Sequence, residues 1–282
     1  MNNVIISNPI KFAKLIKTFK KAGAAKIHVL ADFDRTLTKA FVRGKKVISL
    51  INILSEKNFL SPDYPAKADA LFNKYYPIEH NPRISFTKKK RAMRQWWVEH
   101  FELLIKSGFS KKDIACAVSQ AKTTLRGGGR RFFKLLSDNK IPLIIMSASG
   151  LGREAVKAYL KNGENHSANI QIISNTFTWD KNGRAIRVNE PIIHSANKDE
   201  TLVKNFPAIM KKVKTRTNVI LLGDQLHDLH MITGFEYGHL IKIGFLNENV
   251  KANLKLFKKH FDVVLLNDAP LGFINQLIKK II

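Results

Sequence analysis

Leu30-Ala31-Asp32-Phe33-Asp34-Arg35-Thr36-Leu37-Thr38 is the most informative stretch of this sequence. It follows Ile27-His28-Val29, a short apolar run that predicts a strand, so its two aspartates come where a buried strand gives way to a loop. Aspartates two residues apart in an extended chain point the same way, and close carboxylates repel unless a cation or proton lies between them. A helix N-cap at Asp34 explains an Asp-x-Asp pair about equally well, but the added threonines favour a functional site.

Outside this stretch, apolar strands alternate with helical segments. Apolar residues at helical spacing between Ile10 and Phe19 predict an opening amphipathic helix that stops at Gly23. The other predicted elements are strands at Ile141–Met146, Ile170–Ser174, Val219–Leu222, Leu240–Phe245 and Val263–Leu266, a hairpin over Phe177–Val188, and a last helix at Leu271–Ile282. This alternation predicts an α/β fold with a Rossmann-like, mainly parallel sheet and helices on both faces.

Several short motifs follow the first one in a specific order. They are Phe72 to Pro82, Met93 to Trp97, Ser147-Ala148, Asn197-Lys198, and Leu222-Gly223-Asp224 with Asp228. Together with Asp32-Phe33-Asp34 and Thr36-Leu37-Thr38, they resemble the motifs of the haloacid-dehalogenase-like phosphohydrolases, and most closely those of the cytosolic pyrimidine 5′-nucleotidase III family. The likeness runs from about Lys26 to the C-terminus. It implies a Mg²⁺-dependent 5′-nucleotidase that hydrolyses nucleoside monophosphates through an aspartyl-phosphate.

Residues 40–128 interrupt the alternation with a mostly helical pattern, broken at Ser61-Pro62 and Asn81-Pro82. Gly127-Gly128-Gly129 precedes two arginines like a nucleic-acid-binding RGG element, but a single copy at this place is more typical of a hinge. The resemblance then implies a core domain of residues 1–39 and 129–282, with residues 40–128 inserted as a helical cap subdomain. Caps of this kind exclude water and supply substrate contacts.

Two aspartates at the ends of different predicted strands suit a magnesium ion. The side chains of Asp32 and Asp224, with the backbone carbonyl of Asp34, offer the hard oxygen ligands that Mg²⁺ prefers. Asp228, one helical turn after Asp224, faces the same way and could hold a metal-bound water or orient Lys198. A strand cap is the weaker interpretation of Asp224, because Gly223 and Asp228 flank it.

The family mechanism assigns roles to the remaining motif residues. Asp32 is the implied nucleophile, and Asp34 is the implied general acid and base. The implied phosphate-binding residues are Thr36, Ser147, Ala148 and Lys198. The chain departs from the usual Ser-Ala-Gly at Ser147-Ala148-Ser149-Gly150, where one further small residue lengthens the loop and puts its backbone donors in question.

Base recognition is implied for three residues of the cap. Glu79 and Trp96 match positions that the family uses for this purpose, and His100 replaces the family's base-contacting serine. An ionised glutamate only accepts hydrogen bonds, so it suits cytosine or 7-methylguanine better than uracil. The plain alternative is that Glu79 is a solvent-facing charge and Trp96 a core aromatic residue.

The composition limits the class of protein. With 282 residues, 45% of them hydrophobic, the chain can form one large domain or a domain with an inserted subdomain. A single cysteine excludes an internal disulfide framework. Lysines interrupt the N-terminal segment, and no apolar run approaches the roughly 20 residues of a membrane span. We expect a cytoplasmic monomer without membrane association.

The charge balance is unusual, with 48 Lys+Arg against 22 Asp+Glu and a net charge of +26. Such a surface attracts small phosphate esters as well as polyanions. Because the basic residues are scattered and not interleaved with aromatic ones, stable nucleic-acid binding is not expected. Two alternatives remain open: a phosphatase acting on another small ester or a nucleic-acid end, and a basic nucleic-acid-binding protein with a vestigial site. A vestigial site would be expected to lack one of its charged groups, and all are present.

Overall fold

The computed structural model describes residues 3–56, 59–81, 83–121, 124–163, 165–199 and 204–282. Its strands are β1 (Val4–Ile6), β2 (Ile27–Ala31), β3 (Phe41–Val42), β4 (Lys45–Lys46), β5 (Leu143–Met146), β6 (Ile170–Ile173), β7 (Thr176–Trp179), β8 (Ala185–Asn189), β9 (Asn218–Gly223), β10 (His239–Leu246) and β11 (Val263–Leu266). Its α-helices are α1 (Pro9–Ala22), α2 (Leu50–Glu56), α3 (Tyr64–His80), α4 (Phe86–Lys106), α5 (Lys111–Gln120), α6 (Gly129–Asp138), α7 (Gly152–Asn162), α8 (Pro207–Val213), α9 (Val250–His260) and α10 (Gly272–Ile281). In these residues no helix is both long and apolar enough to cross a membrane.

Seven strands form one sheet in the order β1-β11-β10-β9-β2-β5-β6. Every neighbouring pair is parallel except β1 and β11, which are antiparallel. The predicted α/β fold with a mainly parallel sheet is therefore confirmed. Strand β1 was not predicted, because three apolar residues directly before a helix do not show a period on their own.

Helices cover both faces of this sheet. Val29 and Ala31 of β2 pack with Phe19 of α1 and Phe132 of α6, whereas Leu30 points to the other face and packs with Ile209 of α8. This division follows from the period of two along a strand. Strand β2 is buried on both faces, which explains its continuous apolar character.

Helix α1 confirms the predicted opening helix and shows how its ends are set. The side chain of Asn8 accepts a hydrogen bond from the Lys11 amide at 2.9 Å, and Pro9 takes the first helical position, where no amide donor is needed. Gly23 ends the helix with a φ of 72°, a left-handed angle that favours glycine.

Helices α2 to α5 lie between β2 and α6 in the sequence and have an apolar cluster of their own. Tyr64, Phe101 and Phe109 are central to this cluster, and Phe177 of the β7–β8 hairpin joins it. Helix α2 ends at Glu56 and helix α3 begins at Tyr64, on either side of the predicted break at Ser61-Pro62. Pro82 of the second predicted break lies outside the described residues. The β3–β4 hairpin was not predicted. The division into a core and a cap at residues 39/40 and 128/129 stays a prediction.

The burial of His28 in the central sheet predicts how the stability of the fold depends on pH. His28 lies in β2, where its Nδ1 is 2.7 Å from the Arg216 carbonyl oxygen, and burial lowers its pKa to about 4. The folded protein therefore resists protonation that the unfolded chain accepts below pH 6.5. The resulting stability is present above pH 6.5 and is lost as the pH falls toward 4, by up to about 3 kcal/mol for this residue.

We expect His28→Asn to flatten the dependence of the unfolding free energy on pH between 6.5 and 4, as measured by denaturant titration at several pH values. Parallel curves for the variant and the wild type would contradict this assignment.

Candidate active site

Two neighbouring strands deliver aspartates to the same crevice. Asp32 follows β2 and Asp224 follows β9, and these strands pair in parallel with Ala31 opposite Leu222. The Asp32 amide donates a hydrogen bond to the Leu222 carbonyl oxygen at 3.0 Å, which fixes the first aspartate against the second strand. The carboxyl ends of parallel strands are where α/β sheets bind ligands. Two of the predicted metal ligands, Asp32 and Asp224, therefore lie in the expected place.

Three buried carboxylates form a cluster at this edge. Asp32, Asp224 and Asp228 each place an oxygen so that all three oxygens lie within 4.8 Å of one another. Asp228 Oδ2 accepts the amide hydrogens of Asp224 at 3.1 Å and Gln225 at 3.0 Å. A Cβ atom at Gly223 would lie 2.5 Å from the Asp228 Cβ atom, so only glycine permits this approach.

Lysine 198 is the cation that holds the cluster together. Its Nζ donates to Asp32 Oδ1 at 2.5 Å and to Asp228 Oδ1 at 3.0 Å, and its side chain is 5% exposed. Burial alone would lower its pKa, but the carboxylates of Asp228 and Asp32 outweigh burial and raise it. Burial likewise works against the charge of Asp228, yet Lys198 holds the pKa of that carboxyl below its ordinary value. Lys198 and Asp228 are therefore a fixed ion pair.

Asp224, Asp32 and Asp34 have less positive charge nearby than their own negative charge requires. Burial, with help from Asp228, raises the pKa of Asp224 to about 7, and burial also raises the pKa values of Asp32 and Asp34. The nearest further cation is Arg35, whose Nε lies 3.9 Å from Asp224 Oδ2. Three convergent oxygen donors with too little positive charge fit a hard divalent cation.

Asp34 and Thr36 complete the loop after β2. Asp34, two residues after Asp32, lines a cavity of about 540 Å³. Thr36 is fully buried, and within the described chain its Oγ1 has no hydrogen-bond partner. Buried hydroxyls are normally paired, so this orphaned group is available to a bound ligand.

The loop after β5 lies opposite. The Ser147 amide donates to the Ile173 carbonyl oxygen at 2.9 Å, and its Oγ accepts from the Ser149 amide at 3.2 Å. In the lengthened loop one backbone donor is thus used internally, while Ala148 lines the cavity. A Cβ atom at Gly150 would come within 2.7 Å of the Trp97 ring, so the loop packs directly against helix α4.

The three residues expected at the base do not lie together. Trp96 and His100 line the 540 Å³ cavity with Asp34 and Ala148. His100 Nε2 is 3.0 Å from the Tyr64 hydroxyl, and burial lowers the His100 pKa to about 4, so the ring is neutral. Glu79 is not among the described residues that line the cavity.

Glu79 instead faces the loop that bears Lys198. Its Oε1 accepts a hydrogen bond from Ser195 Oγ at 2.5 Å, and Ser195 begins the short 3₁₀ turn that ends directly before Lys198. The side chain is 26% exposed, so it is less open to solvent than the solvent-facing charge of the plain alternative. A role in base recognition for Glu79 stays a prediction.

Two buried polar residues of the site were missed in the sequence. Asn175 donates to the carbonyl oxygens of Ser149 at 3.2 Å and Ile193 at 2.9 Å, and accepts from the Ile193 amide at 2.7 Å. It thereby joins the loop after β5 to the segment before Lys198. Its signal was available, since Asn175 follows an apolar strand just as Asp32 does. The other residue is Arg126, which directly precedes the glycine run and was not singled out in the sequence.

Solved structures of known proteins share this architecture. A phosphoserine phosphatase, solved as a phospho-aspartyl intermediate analogue, is 16% identical, with a TM-score of 0.51 and coverage of 89% of this chain and 97% of that chain. A haloacid-dehalogenase (HAD) family hydrolase from Salmonella enterica, also 16% identical, has a TM-score of 0.54 and covers 96% and 81%. The fold is that of the HAD-like hydrolases.

A narrower match identifies the family. The family model described as pyrimidine 5′-nucleotidase (UMPH-1) matches residues 35–282, and the chain belongs to this family. The 7-methylguanosine phosphate-specific 5′-nucleotidase of Gallus gallus is 31% identical over 100% of this chain and 96% of its own length, and that of Homo sapiens is 31% identical over 99% and 92%. The predicted family is thereby confirmed.

One solved structure resembles nearly the whole molecule. Cytosolic 5′-nucleotidase IIIB, crystallised with cytidine, is 27% identical, with a TM-score of 0.88 and coverage of 100% of this chain and 93% of that chain. Together with the family match, this similarity confirms the prediction of a phosphoric monoester hydrolase.

The buried ion pairs of Lys198 generate a stability prediction. Lys198→Met leaves Asp32 and Asp228 buried without their cation, and breaking a buried pair in this way costs about 3–5 kcal/mol. Lys90→Met is the matched control, because Lys90 pairs with Asp199 at 2.6 Å but is 37% exposed. An exposed pair contributes about 0–1 kcal/mol.

Denaturant unfolding of both variants at pH 8 tests this difference. The deficit of Lys198→Met should shrink toward pH 5, where protonation of a carboxyl removes the uncompensated charge. Equal stability of the two variants at pH 8 would show that the cluster does not depend on Lys198.

Proposed function

We propose that this protein is a Mg²⁺-dependent 5′-nucleotidase that hydrolyses a nucleoside monophosphate with a cytosine-like or 7-methylguanine base. The arrangement that carries the proposal is the buried cluster of Asp32, Asp224, Asp228 and Lys198, with Asp34 on the same loop as Asp32 and lining the cavity. The names of the relatives support the substrate class, since they include a 7-methylguanosine phosphate-specific nucleotidase and a nucleotidase crystallised with cytidine.

The metal assignment follows from the donor set. Mg²⁺ would be held by the side chains of Asp32 and Asp224 and by the backbone carbonyl of Asp34, with Asp228 fixing the Lys198 ammonium beside it. When bound, the ion neutralises negative charge on the phosphoryl oxygens. The raised pKa values of Asp32 and Asp224 support this assignment, because a cation there relieves the crowding of charge.

The residues of the chain divide the chemistry in two steps. An oxygen of Asp32 forms a bond to phosphorus as the bond to the 5′-oxygen breaks, and Asp34 gives its proton to the departing nucleoside. Asp34 then takes a proton from the water that attacks the aspartyl-phosphate, which releases phosphate and restores Asp32. Burial raises the pKa of Asp34, which favours the protonated form that a general acid needs in the first step.

Phosphoryl charge is met by groups on three loops. Lys198 stands beside the Asp32 oxygen at 2.5 Å and supplies a fixed positive charge. We assign hydrogen bonding of the phosphoryl oxygens to the hydroxyls of Thr36 and Ser147 and to the backbone at Ala148. The orphaned Thr36 hydroxyl supports this assignment, since a phosphate oxygen would satisfy it.

The cavity accounts for the nucleoside. Its volume of about 540 Å³ is in the range of small-molecule sites, and its lining runs from Asp34 and Ala148 to Trp96 and His100. Trp96 offers a ring face for stacking, which gains a cation–π contribution with the positive ring of 7-methylguanine. Its buried Nε1 has no hydrogen-bond partner in the described structure.

The setting of the enzyme is part of the same proposal. We infer a cytoplasmic monomer that does not form stable complexes with nucleic acid. Its net charge of +26 then serves to attract a small phosphorylated substrate. Asp32, Asp34, Lys198 and Asp224 are all present, and Lys198 is hydrogen-bonded to Asp32 and Asp228, which argues against a vestigial site.

The direct test is phosphate release from CMP, UMP, 7-methyl-GMP and AMP. We expect CMP and 7-methyl-GMP to be hydrolysed faster than UMP, and AMP to be poor, with activity that chelation abolishes and Mg²⁺ restores. Asp32→Asn is the control: it keeps the shape of the side chain but removes the nucleophile, so turnover is lost while the fold is retained. Full turnover in excess chelator would remove the metal assignment, and an active Asp32→Asn enzyme would remove the covalent mechanism.

A second experiment concerns Glu79. If this carboxylate accepts hydrogen bonds from the amino group of the base, Glu79→Ala should reduce kcat/KM for CMP more than for a base-free phosphate ester. Ser195→Ala is the matched control, because it removes the hydrogen bond to Glu79 and keeps the carboxylate. Equal losses on both substrates in Glu79→Ala would mean that Glu79 serves the Lys198 loop and reads no base.

A further inference from the structure

Arginine 126 is buried at the back of the catalytic loop and is fully paired. Its side chain is 0% exposed and lies 4.2 Å from the centre of the Phe245 ring. Burial lowers its pKa to about 10, so it keeps its charge at neutral pH. Burying a charged guanidinium is costly unless each of its donors is hydrogen-bonded, so the groups that Arg126 binds indicate what it does.

The guanidinium binds three loops at the carboxyl ends of strands. Its donors reach the following acceptors: the carbonyl oxygens of Thr36 at 2.7 Å and Arg35 after β2, Asn247 Oδ1 at 2.7 Å after β10, and Asp268 Oδ1 at 2.8 Å with the Ala269 carbonyl oxygen at 3.0 Å after β11. Asn247 Nδ2 also donates to the Arg35 carbonyl oxygen at 3.0 Å. The backbone directly after Asp34 is thus held from two directions.

The same residue lies where the helical segment rejoins the sheet. The Arg126 amide donates to the Leu37 carbonyl oxygen at 3.0 Å, and the Lys39 amide donates to the Thr124 carbonyl oxygen at 2.9 Å. Asp268, the counterion of Arg126, also accepts the Ala40 amide at 2.8 Å. The two chain segments that connect the sheet with helices α2 to α5 are therefore both hydrogen-bonded to Arg126 or to its neighbours.

The conformation of the loop makes this support necessary. Arg35 has a φ of 61°, in the left-handed region, where a residue with a side chain is disfavoured. It separates Asp34, the assigned acid and base, from Thr36, an assigned phosphate ligand. A left-handed residue between two functional groups keeps its conformation only when neighbouring groups hold it.

We propose that Arg126 is a positioning residue of the reaction. By binding the carbonyl oxygens of Arg35 and Thr36, it fixes the position of the Asp34 side chain and of the Asp34 backbone carbonyl that is assigned to the metal. This inference rests on the proposed phosphohydrolase function. A lysine in its place retains the charge but lacks the planar fork of donors, so it cannot satisfy the same acceptors.

Arg216 offers a matched control. It too is an arginine that donates to three backbone carbonyl oxygens, those of Ala24, Ile27 and Lys140, each at 3.0 Å. These acceptors lie at the amino ends of the strands, away from the catalytic loop. Arg216→Lys therefore reports the loss of stability that follows from removing a multiply bonded arginine, without a change at the site.

The experiment compares Arg126→Lys with Arg216→Lys in the full chain. With CMP as substrate, we expect kcat of Arg126→Lys to fall about tenfold or more, with a much smaller change in KM, because the nucleotide site is kept while the acid is misplaced. By calorimetric titration, Mg²⁺ alone should bind about tenfold more weakly to Arg126→Lys. Arg216→Lys should match the wild type in both measurements, even if its melting temperature falls as much as that of Arg126→Lys.

The remaining outcomes of this experiment also decide whether Arg126 positions the catalytic loop. Equal kcat and equal Mg²⁺ affinity for the two variants would reduce Arg126 to a purely structural role. If Arg126→Lys does not fold, Asn247→Ala removes part of the same hold on Arg35 and is judged by the same two measurements. If the wild type releases no phosphate from any nucleotide, the proposed function fails, and the Mg²⁺ affinities alone still test Arg126.

Discussion

The active site depends on compensation of buried negative charge by a single ammonium group. Three carboxylates meet at the ends of β2 and β9, and Lys198 reaches two of them. Without that ammonium the cluster would either take up protons or open to water, since isolated ionised carboxylates are not tolerated in a protein interior. The loops after β2 and β9 each carry a carboxylate that binds Lys198.

Buried polar groups on the neighbouring loops fix the residues of this cluster in position. Gly223 makes room for Asp228, whose second oxygen is fixed by two backbone amides, so its first oxygen points to Lys198. Asn175 ties the segment before Lys198 to the loop after β5. Arg126 holds the loop that carries Asp34. Each is a buried polar group with its hydrogen bonds made, which is the condition under which such groups confer rigidity.

The sequence predicted what depends on local pattern. The strand before Asp32, the end of α1 at Gly23 and the hairpin that turns at Asp180 to Gly183 follow from rules that act within a few residues. Arg126 could not be assigned in this way, because its acceptors lie 90 to 143 positions away in the sequence. Glu79 matched the family motif for base recognition, but its hydrogen bond to Ser195 depends on how two distant segments meet.

The outer contacts of the site, between helices α3 and α4 and the segment around Lys198, are weaker than the buried contacts inside it. Helices α3 and α4 meet the segment before and after Lys198 through Glu79 with Ser195, Lys90 with Asp199 at 2.6 Å, and Arg94 with Glu190 at 2.7 Å. These pairs are partly or largely exposed, so each contributes about 1 kcal/mol or less. Helix α4 also carries Trp96 and His100 into the cavity. A movement of α4 would therefore change the support of the Lys198 loop at small cost, while the buried hydrogen bonds of Lys198 and Arg126 keep Asp32, Asp228 and the backbone at Arg35 and Thr36 in place.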